Sequence, residues 1–365
     1  MNRNSAFTIA VLPGDGIGVE VMDAALAVLD AVQRRVGGFA LQCQHLPGGA
    51  RAYRDTGVAL GDAAMQACEA ADAILFGAMG LPDVRYPDGT EIAPQLDLRF
   101  HFGLYAGLRP IKALAGGARI LADPRAATID LVILRESTEG LFASRGKGVV
   151  ENDRVARDTL VITRPVSERL FDFAFRLARR RKTRSGTPGK VTCVDKANVF
   201  VSMAFFRKIF HERAKLHPDI QAEHHYVDAT ALDLVRRPWD FDVLATENMF
   251  GDILSDLGAA LIGGMGMAPS ADIGDRHGLF QPAHGSAPDI AGRGVANPIG
   301  MVQSAALMLD WLAEKHGVGA CAEAADIINT AVARVLAEGR VRPPDLGGRD
   351  GTGAVTQALI AAVRV

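Results

Sequence analysis

The chain has 365 residues, enough for about two domains. Its 40 Lys plus Arg and 42 Asp plus Glu leave a net charge of -2, without the basic excess of a nucleic-acid binder, and 48% hydrophobic residues exclude wholesale disorder. Cys43, Cys68, Cys193 and Cys321 form no CxxC pair, and there is neither a signal-peptide core nor an apolar run of about 18 residues. The expectation is a cytoplasmic enzyme with free thiols and no membrane or nucleic-acid partner.

Short β-rich runs alternate with longer helical ones, which predicts an α/β fold with much parallel sheet. Phe7 to Leu12 is a buried-type strand closed by Pro13-Gly14-Asp15-Gly16, and Gly18 to Gln33 is an amphipathic helix. Gly14-Asp-Gly16-Ile-Gly18 falls short of G-x-G-x-x-G, because Val19 stands at the third glycine position. A tight strand-to-helix turn and a different kind of nucleotide site both remain open there. A strand at Ala73 to Phe76 precedes a long loop reaching Ile92. Another strand, Asp130 to Leu134, runs into Arg135-Glu136-Ser137-Thr138-Glu139-Gly140. Residues 141–164 have glycines and Asn152-Asp153 between short β runs ending in Thr159–Thr163, as in a protruding arm. Pro165 opens a helix to about Arg181. Strands near 190–195, 222–227 and 241–245 each lead into a helix, and helices near 297–315, 321–338 and 353–363 finish the chain.

Several groups in this order could carry chemistry. Arg99, Arg109 and Arg135 present guanidinium forks suited to carboxylates, or are salt-bridged surface residues. Lys196 ends a β run as a candidate base, or pairs with Asp195. Asp228 sits at a strand end, where it is a site carboxylate or a helix cap. Asp252 and Asp256, spaced i, i+4, place two carboxylates on one helix face. Like charges there disfavour the helix unless a hard divalent cation or solvent relieves them. The run from Pro282 to Gly294, with Asn297-Pro298 after it, is a Gly/Pro-rich loop ahead of a helix that offers backbone N–H groups and a carboxylate. The basic stretch Arg176 to Arg184 fits a helix C-terminus, where cations are favoured.

Taken together and in order, Leu12-Pro-Gly-Asp-Gly-Ile-Gly18, Leu108-Arg109-Pro110, Val194-Asp-Lys-Ala-Asn198, Phe250-Gly-Asp-Ile-Leu-Ser-Asp256 and His284-Gly-Ser-Ala-Pro-Asp289 resemble the isocitrate and 3-isopropylmalate dehydrogenase family. The resemblance runs over nearly the whole chain. It implies an isopropylmalate dehydrogenase-like two-domain α/β fold with a non-Rossmann nucleotide site and a β arm at about 141–164. Residues 1–104 plus 263–365 would form the nucleotide-binding domain, and 105–262 the substrate, metal and dimerisation domain. It further implies that Arg99, Arg109 and Arg135 bind substrate carboxylates and that Asp252 and Asp256 hold Mg²⁺ or Mn²⁺. Asp228 would reach that metal from the partner of a homodimer, and Lys196 would likewise serve the neighbouring site as catalytic base. Asn198, His284, Gly285, Ser286, Ala287, Pro288, Asp289, Ile290 and Asn297 would bind the cofactor. Asp289 followed by Ile290 implies NAD, because a carboxylate would repel a 2′-phosphate.

The chain departs from the family at two places of consequence, and in a smaller way at Val19, where the family usually has Pro. The tyrosine that usually follows Arg-Glu-x-Thr-x-Gly-x is Phe142, which removes the presumed proton donor of the last step. The four tyrosines, Tyr53, Tyr86, Tyr105 and Tyr226, lie elsewhere in sequence. Isopropylmalate enzymes carry consecutive leucines before the first substrate arginine, whereas this chain has Ala93-Pro94-Gln95-Leu96. An unpaired amide facing an isopropyl group costs roughly 1–3 kcal/mol. Gln95 therefore favours a polar or small C3 substituent, as in isocitrate, D-malate or tartrate. A 3-isopropylmalate dehydrogenase proper and a non-catalytic regulatory homologue are the alternatives.

Overall fold

The structure is a computed structural model and describes residues 5–365. The first four residues, on which part of the signal-peptide expectation falls, lie outside the described residues. The chain separates into two compact units. One takes the residues up to Phe102, Leu114–Ala118 and Ile262–Val365; the other takes Gly103–Ala113 and Arg119–Leu261.

In the first unit the strands are β1 (Ser5–Gly14), β2 (Phe39–His45), β3 (Ala73–Ala78), β11 (Pro269–Ile273) and β12 (Gly278–Pro282), in the order β2-β1-β3-β12-β11. β11 and β12 are antiparallel and the other pairs parallel. β1 and β3 are apolar on both faces, Ile9 to Leu12 being wholly buried, as strands covered by helices on both sides require. Helix α1 (Gly18–Val36) buries Val21, Met22, Ala25, Val28, Leu29 and Val32 on one stripe. α9 (Ile299–His316), α10 (Gly319–Glu338) and α11 (Thr352–Arg364) complete this core, and the short helices α2 (Ala50–Thr56), α3 (Asp62–Ala70) and α4 (Pro94–Phe102) lie between the early strands in sequence.

The second unit has β4 (Ala106–Lys112), β5 (Asp130–Glu136), β8 (Lys190–Asp195), β9 (Gln221–Tyr226) and β10 (Val243–Thr246), in the order β4-β5-β10-β8-β9. Only β4 and β5 run antiparallel. Its scarce aromatics are concentrated: Phe171 and Phe175 of α5 (Arg164–Ser185) pack on Phe206 and Phe210 of α6 (Val201–Ala214). Helices α7 (Val227–Arg236) and α8 (Asn248–Leu261) follow β9 and β10. Two arginines of the basic stretch are taken up by ion pairs, Arg179 with Asp219 and Arg181 with Asp242 and Asp130.

The arm is a hairpin of β6 (Val149–Glu151) and β7 (Val155–Arg157), with Asn152 and Asp153 both at positive φ in its turn. The β run expected at Thr159–Thr163 does not form a strand. Val161 makes only an isolated bridge to Gly140, and Thr163 precedes α5. No described helix is long and apolar enough to cross a membrane.

Candidate active site

The second unit brings Arg109, Arg135, Asp252 and Asp256 together where α8 lies against β4 and β5. Arg135, on β5 and 4% exposed, donates from Nε (3.0 Å) and Nη2 (2.6 Å) to Asn248 Oδ1. Its Nη1 is thereby turned onto Asp252, with which it forms an ion pair. α8 approaches β5 so closely that a Cβ at Gly251 would lie 2.7 Å from the Arg135 Cβ and Cγ atoms. Glu247 shapes the start of α8, its carboxylate accepting from the Met249 (3.1 Å) and Phe250 (2.7 Å) amides. Asp256 lies one turn beyond Asp252. Loss of solvation and the neighbouring Asp252 carboxylate raise its pKa, against the pull of Arg135 and Arg109. Arg109 is buried on β4, and its Nη1 donates to the Leu108 carbonyl at 3.0 Å.

Lys196 follows β8. The sequence alternative that paired it with Asp195 is not what forms. Asp195 is fully buried and takes a bidentate pair from Arg207 (2.7 and 2.6 Å), so it faces the sheet interior while Lys196 points away. Lys196 Nζ instead donates to Asp228 Oδ1 at 2.5 Å, and this holds the exposed Asp228 carboxyl below its usual pKa. Asp228 is the second residue of α7 rather than the end of a strand; the N-cap position is Tyr226, and Asp228 meets first-turn backbone N–H groups from within the helix. Tyr226 carries the Arg207 guanidinium 4.9 Å from its ring centroid. Asn198 is exposed just beyond.

In the first unit, Gln95 and Arg99 lie on α4. Arg99 is 6% exposed and gives Nε (3.0 Å) and Nη2 (2.9 Å) to the fully buried Asp272, which also accepts from Gln281 at 2.9 Å. The Gln95 Oε1 atom is buried without a hydrogen-bond partner. The 284–290 loop follows β12. His284 Nδ1 meets the Gly285 carbonyl at 2.9 Å, while its Nε2 is buried and without a partner. Burial lowers the pKa of this ring, favouring neutral imidazole. Gly285, Pro288 and Asp289 are exposed, Ser286 is buried, Ala287 sits at φ 36°, and Ile290 closes a turn to the Ala287 carbonyl at 3.1 Å. Asn297 is buried with its amide engaged: Oδ1 accepts from Ile299 N (3.0 Å) and Nδ2 donates to Asp345 (3.1 Å).

Sequence reasoning missed Asn248, Asp272 and Asp345, which engage the side chains of Arg135, Arg99 and Asn297, and Glu247, which engages the first amides of α8. Asn248 was visible inside the segment carrying Asp252. Glu247 stood beside it, a carboxylate two and three residues ahead of the amides it accepts from, whereas Asp272 and Asp345 carry no spacing signal, since their partners lie 173 and 48 residues away.

The residues present fit a divalent cation and a dinucleotide. The acids on α8 are hard oxygen donors, and their mutual repulsion is what a cation relieves. Among the described residues no three metal-ligating side chains converge, so a single chain offers this pair and not a complete cage. The partnerless His284 Nε2, set in a loop of exposed backbone, offers a polar atom that a bound nucleotide would satisfy.

Comparison with known proteins matches residues 8–363 to the family described as isocitrate/isopropylmalate dehydrogenase. The chain is 43% identical to the 3-isopropylmalate/3-methylmalate dehydrogenase of Methanocaldococcus jannaschii over 98% of both chains. It is 45% identical to the 3-isopropylmalate dehydrogenase of Heyndrickxia coagulans over 91% of this chain and 88% of that one. Among solved structures it is similar to isocitrate dehydrogenase from Methylococcus capsulatus (TM-score 0.85, 36% identity), covering 98% of this chain and 100% of that one. It is also similar to a beta-decarboxylating dehydrogenase from Thermococcus kodakarensis (TM-score 0.79, 37% identity), covering 98% and 96%. The chain belongs to the isocitrate/isopropylmalate dehydrogenase family, metal-dependent β-decarboxylating dehydrogenases that act on a CH–OH group.

Proposed function

We propose that the protein is a homodimeric, NAD-dependent enzyme that oxidises and decarboxylates a 3-substituted malate with Mg²⁺ or Mn²⁺. The observation that carries this is Arg135, fixed by Asn248 and directed onto Asp252 in the α8 acid pair. A guanidinium locked beside a metal-type carboxylate pair suits a substrate that must offer one carboxylate to a cation and another to an arginine. Arg99, Arg109 and Arg135 bind the substrate carboxylates. Asp252 and Asp256, with Asp228 of the partner subunit, hold the cation. Lys196, positioned by its contact with Asp228 and serving the neighbouring site as Asp228 does, would act as a neutral amine to take the C2 hydroxyl proton through water. When bound, the cation supplies Lewis acidity at the hydroxyl and neighbouring carboxylate, and NAD supplies the hydride acceptor. Asn198, the 284–290 loop and Asn297 hold the dinucleotide. The exposed Asp289 followed by Ile290 supports NAD over NADP.

The substrate ranking reverses the one drawn from Gln95 alone. The names of the relatives point to 3-alkylmalates, with 3-isopropylmalate first and 3-methylmalate beside it. The orphaned Gln95 Oε1 supports a second reading, in which the C3 substituent brings a hydrogen-bond donor. A panel of 3-isopropylmalate, 3-methylmalate, isocitrate, D-malate and tartrate, each with NAD or NADP and Mn²⁺, separates the two by nicotinamide absorbance. NAD-linked turnover fastest with an alkylmalate is the expected result. Faster turnover of isocitrate, D-malate or tartrate selects the second reading. No metal-dependent NADH formation with any of them would leave a non-catalytic homologue.

A further inference from the structure

Asp15 stands in the turn between β1 and α1, wholly buried. Its Oδ2 accepts from the Ala50 amide (2.6 Å) and the Gly80 amide (2.9 Å), and its Oδ1 accepts from the Arg51 amide (2.9 Å). Its own amide donates to the Ala78 carbonyl at 2.7 Å. One carboxylate thus ties the β1 turn to the start of α2 and to the exit of β3. The same segments reach the 284–290 loop. The Ile17 amide donates to the Ser286 carbonyl at 2.8 Å, and the Ser286 hydroxyl donates to the Gly80 carbonyl. Gly80 therefore gives its N–H to Asp15 and its C=O to Ser286, closing a circuit of four segments within the first unit.

The backbone leaves little slack in this circuit. Gly49 has φ 104°, and a Cβ there would lie 2.5 Å from Asp15 Oδ2; Gly16 has φ 54°, and a Cβ there would lie 2.0 Å from the Ser286 carbonyl oxygen. Next to Ser286, Ala287 is held at φ 36°, a left-handed conformation that a non-glycine residue keeps only where its surroundings impose it. A buried carboxylate is costly unless its lone pairs are well used, and here three amides use them.

We propose that Asp15 is a positioning residue of the nucleotide site: its carboxylate, through Gly80 and Ser286, sets the conformation of the 284–290 loop and thereby the affinity for the dinucleotide. The proposal rests on the reading that this loop holds NAD.

The test compares the full-length enzyme with D15N, D15A and G49A. NADH binding is measured by fluorescence titration, thermal stability by melting, and KM and kcat for both substrates by assay. Asn keeps the shape but puts an NH₂ group against one of the three amides, whereas G49A presses on the carboxylate from outside. The expected result is an NADH Kd and NAD KM raised about tenfold in D15N and G49A, as losing one charge-assisted hydrogen bond implies. The kcat at saturating NAD and the KM for the hydroxy acid stay within about twofold, since the loop can be refilled by mass action. D15A is weaker than D15N, so the conservative variant partly rescues binding; if D15A does not fold, D15N and G49A decide. Lowered melting temperatures with NADH affinity unchanged in both would reduce Asp15 to a structural role and overturn the proposal. Wild-type enzyme that does not bind NADH would overturn the loop reading itself, a result separate from the behaviour of the variants.

Discussion

Glu136, next to Arg135 on β5, accepts at Oε1 from the Thr138 amide and hydroxyl (both 2.6 Å) and at Oε2 from the Glu139 amide (2.7 Å). Those donors favour the carboxylate, yet burial outweighs them and pushes its pKa from 4.5 up to about 7. Because the folded value lies above the unfolded one, the folded chain keeps a proton between those values that the unfolded chain has lost. Stability contributed by this group therefore falls as pH rises through that window and levels off above it. Melting temperatures taken from pH 5 to 8 should show this decline in the wild type and a shallower one in E136Q; parallel curves would show that Glu136 does not titrate there. A second residue-scale consequence concerns Phe142, whose ring centroid lies 4.9 Å from the Arg135 guanidinium carbon. Loss of CO₂ from a β-keto acid leaves a carbanion at C3 that needs a proton, and a phenyl ring has none to give. Until it is protonated the enolate can recapture CO₂, so net CO₂ release is expected to lag NADH formation in the wild type and to catch up in F142Y. Equal rates of both products in the wild type would dispose of this expectation.

At the scale of the element, α8 is a small-residue surface laid on β4 and β5. Gly251 and Gly258 lie two turns apart on one face; a Cβ at Gly251 would meet Arg135, and one at Gly258 would lie 2.9 Å from Ile111 Cγ1. The two substitutions should therefore separate activity from stability. G251A displaces Arg135 and is expected to lower kcat/KM by on the order of a hundredfold. G258A overpacks against an apolar side chain, destabilising by about 1–3 kcal/mol while activity per folded molecule is largely kept. Equal activity losses in both would mean that α8 shifts as a rigid body. The same helix shows what could be read from sequence. Its acid spacing and its apolar stripe are local, so α8 and α1 were legible. β2 was not, because Gln42 to His45 are exposed on an edge strand and leave no alternation. β4 carries Pro110 and β11 begins with Pro269, residues that demote a run as a strand although both strands form. The arginines, Lys196 and the acids were legible as a set of motifs. The buttresses Asp272 and Asp345 were not, since 173 residues separate Asp272 from Arg99 and 48 separate Asp345 from Asn297.

The whole molecule adds what a single chain lacks. Val199 and Phe200 just before α6, Val201 at its start, Leu232 and Val235 on α7, and Ile253 on α8 are all exposed, an apolar set on the segments that also carry Lys196, Asp228 and Asp252. Apolar residues concentrated there suit a covering partner, and a second copy fits the near-neutral charge of the chain. If the copy brings its Asp228 to the α8 acids, each site takes Asp252 and Asp256 from one protomer and Asp228 from the other. D228N and D252N are then each inactive, but a heterodimer of the two is not. One of its sites has Asp252, Asp256 and Asp228 all intact, and the other has lost both altered acids. Random reassortment after co-refolding of equal amounts gives half heterodimers, each with one working site of two, so activity should recover to about a quarter of wild type for a symmetric dimer. Each variant refolded alone serves as the control and should stay inactive. If the mixture also stays inactive while size-exclusion chromatography shows dimers, Asp228 acts within its own chain.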